Sequence, residues 1–246
     1  VRRRGARMLA VFGLLALTGA PAHADEASVW KSAAPSFASP RRWSFGVRTG
    51  PYRPDVDGEL AARGAAGRPY AETFGGGHRL RVDATLDRVL WDRAGTLLLG
   101  AGLGYFRATG ASFIAGTNQR SGDETSLRLV PLAASLTYRL DRPLREHGWA
   151  FAPYVRAGLE AIHWTVASDG GGRRSGLTPG WQAAAGIALL LDALDPEAAR
   201  SLDHETGVNH TSLVVEVARH EISGLGAEHK LRLGDTTWYA GLLVEF

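Results

Sequence analysis

Three stretches of this chain carry residue types that could do chemistry. His210-Thr211-Ser212, with Glu216 four residues beyond the serine, supplies a base, a nucleophile and a carboxylate. A serine hydroxyl attacks only when a base is in reach and a third group orients that base, so by residue type this trio is a hydrolase candidate. Asp55-Val56-Asp57-Gly58-Glu59 sets carboxylates at alternate positions around a glycine. Such oxygens could converge on a hard cation like Ca²⁺, and the same pattern describes a solvated turn. Gly100-x-Gly102-x-Gly104 superficially has the look of a nucleotide-binding loop. A period of two puts all three glycines on one strand face, however, whereas the dinucleotide fingerprint needs a strand, a turn and then a helix. Close packing between strands accounts for them better. His163, His204, His220 and His229 lie scattered without metal-ligand spacing and read as interior or loop residues. No pattern in the chain calls for a cofactor.

Which of these residues can meet depends on the elements that carry them. From Trp43 onward the dominant signal is alternation with period two, the mark of strands whose faces see different surroundings. Leu80, Val82, Ala84 and Leu86 alternate with Arg79, Arg81, Asp83, Thr85 and Asp87. Leu97, Leu99, Ala101, Leu103 and Tyr105 alternate with the three glycines, and Val130, Leu132, Ala134, Leu136 and Tyr138 with Ala133, Ser135, Thr137 and Arg139. The pattern recurs in residues 151–160, 181–189 and 212–220. With residues 43–52 and 237–246 the segments number eight, an even number, as a closed antiparallel barrel of the bacterial outer membrane requires.

Period two alone does not say which face meets water. The polar face carries Arg79, Arg81, Asp83, Asp87, Arg156, Glu160, Glu216 and Glu245 among small neighbours, and in a membrane barrel these become paired interior charges. An eight-stranded barrel is just wide enough for side chains to fill, so such pairs would close the lumen. Trp43, Trp91 and Trp149 fall at one set of strand ends and Trp164, Trp181 and Trp238 at the other, as two aromatic girdles at the membrane interfaces would. If the first strand rises from the periplasm, the outward links are residues 53–77, 107–124, 168–177 and 223–235, long and polar. Of the inward links, 91–95 and 141–148 are short. The third carries Asp195 as a helix cap, Pro196 at the first helical position and Gly207 as a stop, which predicts a short periplasmic helix.

The chain ends agree. Arg2, Arg3, Arg4 and Arg7 precede an apolar stretch to Ala20 and the small-x-small pattern Ala22-His23-Ala24, a secretory signal peptide over residues 1–24. Those residues hold four of the 28 basic residues and none of the 25 acidic ones, which leaves 24 against 25, a formal −1, and no reason to propose nucleic acid as a partner. Cysteine is absent. Residues 25–41, rich in Ala, Ser and Pro, read as a flexible periplasmic lead-in to a barrel domain over 42–246. Tyr239, Gly241, Val244 and Phe246 together resemble the carboxy-terminal insertion signal of bacterial outer-membrane β-barrels.

With Gly50-Pro51-Tyr52-Arg53-Pro54-Asp55-Val56-Asp57, Pro153-Tyr154-Val155-Arg156-Ala157-Gly158 and the stretch from Gly234 to Phe246, the chain resembles the small outer-membrane β-barrel proteins of Gram-negative bacteria, in particular an uncharacterised eight-stranded family. The resemblance implies an all-β fold, an up-and-down eight-stranded antiparallel transmembrane barrel, and an outer-membrane address. It carries over no catalytic residue. A monomer among outer-membrane lipids, inserted by the barrel-assembly machinery and meeting an unknown extracellular ligand through its loops, is the expectation. Its role would be structural or one of surface interaction, and non-enzymatic. Lipid A deacylases, barrels of the same size, use a His-x-Ser pair, but in them Asn follows the Ser, where this chain has Leu213. That hydrolase and a small-solute pore are the alternatives.

Overall fold

In the computed structural model the described residues are 42–62, 64, 67–113, 119–147, 149–170, 172–192, 196–227 and 231–246. The expected signal peptide, the lead-in and the expected cap Asp195 lie outside them, as does His229. Alternation of apolar and polar residues becomes eight strands: β1 (Trp43–Tyr52), β2 (Arg79–Asp92), β3 (Thr96–Phe113), β4 (Arg120–Arg139), β5 (Phe151–Ser168), β6 (Gly172–Leu190), β7 (His210–Glu221) and β8 (Asp235–Glu245). Each pairs antiparallel with the next and β8 closes on β1, from Ser44 opposite Glu245 to Thr49 opposite Ala240. The seam is sealed at its end by Trp43 N–H donating to Phe246 O (2.8 Å) and Phe246 N–H to Trp43 O (2.9 Å). Closure leaves no edge strand with unpaired backbone.

Four short helices decorate the barrel: α1 (Val56–Ala62), α2 (Pro69–Phe74), α3 (Arg142–His147) and α4 (Pro196–Thr206). The last is the expected one; it ends where Gly207 adopts φ +73° and donates its N–H to Asp203 O, a left-handed stop that glycine takes without steric cost. The other three occupy stretches expected as loops. Two outward links also prove shorter than expected, because β3 continues to Phe113, β4 starts at Arg120, β5 reaches Ser168 and β6 begins at Gly172.

A register shift between Val89 and Trp91 interrupts β2. The extra residue changes the parity, as a bulge does, so that Trp91 pairs with Leu97 and stands exposed on the outer face. Arg88, also outward, lies over the Trp43 ring at 5.8 Å. The rim that holds Trp43, Trp91, Trp149 and Phe246 is termed the terminal rim, and the opposite one the loop rim.

Candidate functional site

The outward parity is apolar over most of the barrel wall. Phe45, Val47, Leu80, Val82, Leu86, Leu99, Leu103, Leu132, Leu136, Val155, Leu159, Ile187, Val215, Val217 and Leu242 are all exposed, a continuous band far larger than the apolar patches of a soluble monomer. On β3 it runs from Leu97 to Tyr105, about 27 Å along the strand at the usual rise. Trp43, Trp91 and Trp149 are exposed at the terminal rim, and Trp149 stacks on Phe151 at 5.0 Å. Near the loop rim Trp181, Trp238 and Tyr105 are exposed. Trp164 does not join them: it faces inward and packs against a buried cluster of Tyr52, Phe106, Leu129 and Ile162. His163, its neighbour, is the one that stands exposed outside.

Inside this band the lumen is charged. Arg81 bonds Asp83 at 3.0 Å and Glu160 at 2.7 Å. Glu160 also takes the Nδ1–H of His220 (2.6 Å), and Nε2 of that ring lies 3.2 Å from the Tyr239 hydroxyl. Arg48 reaches Glu216 at 2.8 Å and Asp83 at 3.8 Å. Glu216 accepts from the Tyr154 hydroxyl (2.8 Å) and faces Arg156 at 3.6 Å. Nearer the terminal rim Arg139 pairs with Glu245 and lies 3.6 Å from Asp141, whose carboxylate takes the Thr96 hydroxyl at 2.5 Å. Arg81, Glu160, Glu216, His220 and Tyr239 are buried almost completely, so side chains fill the axis of the barrel here. A cavity of about 30 Å³ lies beside Asp87, Arg139, Arg156 and Tyr154, room for no more than a water or two.

Room for these charges comes from the glycines of β3. A Cβ at Gly100 would sit 1.8 Å from Asp87 Oδ1, and one at Gly104 2.0 Å from Asp83 Oδ1. The Gly-x-Gly-x-Gly run is thus the space into which the carboxylates of β2 fold.

Towards the loop rim the lumen changes character. Tyr52, Phe106, Ala108, Leu127, Leu129, Ile162, Ile222 and Leu233 form an apolar interior, and Tyr70 of α2 is buried among them, with Phe74 against the cluster. The helix sits directly on β3: a Cβ at Gly110 would meet Thr73 O at 1.9 Å. Arg79, expected among the interior charges, instead fastens this helix, donating to Phe74 O (2.5 Å) and Thr109 O (3.0 Å). Burial raises the Tyr70 phenol to about 12.

The candidate chemistry of the sequence is distributed rather than assembled. Asp55 accepts the Gly58 N–H, Asp57 the N–H groups of Tyr70 and Ala71 at the start of α2 (2.8 and 3.1 Å), and Glu59 the Arg232 N–H at 2.6 Å. Each carboxylate caps or staples the first outer link, and the three do not converge on one point; among the described residues no cluster of His, Asp and Glu has the shape of a metal site. His210 bonds Asp192 at 2.5 Å, while Glu216 belongs to the arginine network. Ser212 points inward and is buried, and its strand separates it from Glu216 by four residues, about 13 Å. The His210, Ser212 and Glu216 trio is not a catalytic unit.

Of the terminal motif, Tyr239 and Gly241 face inward and Phe246 is exposed. Gly241 is required by its neighbours, since a Cβ there would lie 2.2 Å from Val47 O across the seam. Arg48 and Arg139 are network members beyond the expected set. Their signal was parity: each falls on the polar phase of its strand.

A second signal lies in the sequence. On β3 the apolar phase is odd up to Tyr105 and then even at Phe106 and Ala108; on β5 it is odd to Leu159 and then even at Ile162, Trp164 and Val166. The phase flips where the inside of the barrel exchanges charge for apolar packing.

Beside the loop rim, α1, α2 and the ends of β7 and β8 border an open cleft of about 830 Å³. Arg53, Arg68, Arg219 and Arg232 alternate around it with Asp55, Glu72, Glu221 and Asp235. Glu221 ties Arg219 (2.5 Å) to Arg232 (3.1 Å).

No family model matches the chain, and a search of curated proteins finds no relative. Among solved structures, similarity is found to the N-terminal β-barrel domain of Pseudomonas aeruginosa OprF, at 11% identity and TM-score 0.44 over 84% of this chain and 99% of that one. Neisserial surface protein A gives 13% identity and TM-score 0.45 over 86% and 100%. Ail, the attachment invasion locus protein of Yersinia pestis in complex with the heparin analogue sucrose octasulfate, gives 10% and 0.41 over 84% and 97%. The closed register assigns the architecture by itself: this chain is an eight-stranded antiparallel up-and-down β-barrel.

Proposed function

We infer that the protein is an integral β-barrel of a Gram-negative outer membrane, with the terminal rim in the periplasm and the loop rim outside. The carrying observation is the wall: an exposed apolar band between two aromatic rings, wrapped around buried, paired charges. Its height suits the apolar band, about 25 Å tall, of barrels of this class. The role is structural or one of surface interaction. Side chains plug the lumen twice, by ion pairs at mid-height and by the apolar cluster under α2, which argues against a small-solute pore; the dispersed His210, Ser212 and Glu216 argue against a lipid hydrolase. The cleft of mixed charge at the loop rim is the surface offered to a polar extracellular ligand.

Cell fractionation tests this. The protein should sit in the outer-membrane fraction and migrate differently on gels before and after boiling, while recovery as a soluble periplasmic protein would end the membrane reading. In planar bilayers the purified barrel should be silent, and stepwise conductance would overturn the closed lumen.

A further inference from the structure

The register aligns Arg107 with Arg128, Arg128 with Thr165 and Thr165 with Ser175, one row across β3, β4, β5 and β6. All four stand on the outward phase. They come directly after the last apolar outward positions, Tyr105 on β3 and Val130 on β4. Arg107 and Arg128 are exposed, and neither has an ion pair or hydrogen bond among the described residues.

Directly opposed residues on antiparallel strands have Cβ atoms about 5 Å apart, and like charges so placed oppose pairing. The outward carboxylate of β4 beyond this row, Glu124, pairs with Ala111 and lies four residues from Arg128, about 13 Å along the strand. Two guanidiniums beside two hydroxyls form a set of donors without an acceptor. Guanidinium forks and hydroxyls together match the oxygens of a phosphate group, which would also cancel the repulsion between the arginines. The position selects the source of that phosphate. Below the row the wall is apolar, and above it the outward residues are polar, so an occupant needs an oily part beneath a phosphorylated head.

We propose that Arg107, Arg128, Thr165 and Ser175 form a docking row for the phosphate of a phosphorylated lipid headgroup in the outer leaflet. The inference rests on the membrane reading above. It concerns the outside of the wall and is independent of the lumen and of the cleft.

The test uses the detergent-solubilised full chain, the double variant R107A/R128A, the single variant R128Q and the control R88A, whose arginine lies at the opposite rim. Each is first checked for the heat-dependent gel shift. Each is then titrated with lipid A bearing its phosphates, with dephosphorylated lipid A and with inorganic phosphate. The wild type should prefer the phosphorylated lipid by roughly tenfold or more, as a lost charge-assisted contact implies. The preference should vanish in R107A/R128A, weaken in R128Q and persist in R88A, with inorganic phosphate in excess unable to compete. Equal binding of both lipids, an undiminished preference in the double variant, an equal loss in R88A or competition by inorganic phosphate would each overturn the lipid row. Failure of the membrane reading would instead show as a wild-type chain without any gel shift or membrane association.

Discussion

The two halves of the barrel interior are built on opposite principles. At mid-height Arg81, Arg48, Glu160 and Glu216 meet inside a wall that is apolar outside. Towards the loop rim Phe106, Leu129 and Ile162 meet inside strands that carry Arg107, Arg128 and His163 outside. One sheet thus changes sides, and the place of exchange marks where its surroundings change from lipid to water. An apolar interior stabilises a fold by taking surface out of water, and that gain fails where the exterior is already oily. There, specificity has to come from ion pairs and hydrogen bonds that fit only one closed arrangement.

The comparison makes unequal demands on substitutions. The largest effect is expected at Arg81→Leu, which strands Asp83 and Glu160 without their shared cation; removing one member of a buried pair costs about 3–5 kcal/mol. Denaturant unfolding of the barrel in lipid vesicles, read by the gel shift, measures it, and a cost under 1 kcal/mol would remove the ion pairs as the organising element of the lower lumen. Next comes Ile187→Arg on the outer wall, about 2–4 kcal/mol by the same assay. The matching change Gly122→Arg on β4 above the band, where a side chain meets open space, should stay within about 0.5 kcal/mol. Equal costs at the two positions would place the lipid boundary elsewhere. Gly104→Val drives a side chain into Asp83 and should cost about 1–3 kcal/mol, a loss that Asp83→Ala in the same chain should partly recover. Asp57→Ala removes the acceptor at the start of α2, about 1 kcal/mol, and should show as faster hydrogen exchange at the Tyr70 and Ala71 amides while the gel shift stays intact.

The smallest effect concerns pH. The Tyr70 phenol is raised from its ordinary value near 10 to about 12 by burial, so its neutral form is favoured in the folded protein. Its contribution is complete below pH 10 and is lost as pH rises from 10 through about 12. Tyrosine absorbance titration should show one late phenol that Tyr70→Phe removes; an early titration would mean that α2 is not seated.

Most of the architecture was legible because its two wall faces differ so sharply. Strand number, parity at Ile187 and Ala188, and the helix before Gly207 all follow from local patterns. The loop end was less legible for a physical reason: there the apolar phase means inside rather than outside, so Trp164 looks like a girdle residue until the flip through Ile162 and Val166 is noticed. The short helix α2 left little trace, since six residues make under two turns and its cap, Asp57, comes from thirteen residues earlier in the chain. Arg79 falls on the polar phase like its neighbours. Only the seat of α2 shows that it fastens a helix, not the lumen.

The mid-height network also bears on how the barrel can form. Arg81 and Glu160 sit on β2 and β5, Glu160 and His220 on β5 and β7, Arg48 and Glu216 on β1 and β7. These partners are not on adjacent strands, so pairing neighbours one hairpin at a time brings none of them together. A half-rolled sheet entering the bilayer would therefore expose naked charges on its concave side, and the neutralising contacts arrive only as the last seam zips. Insertion and rolling-up are thereby coupled into one late cooperative event, with Tyr239 and Gly241 of β8 positioned to complete the circuit.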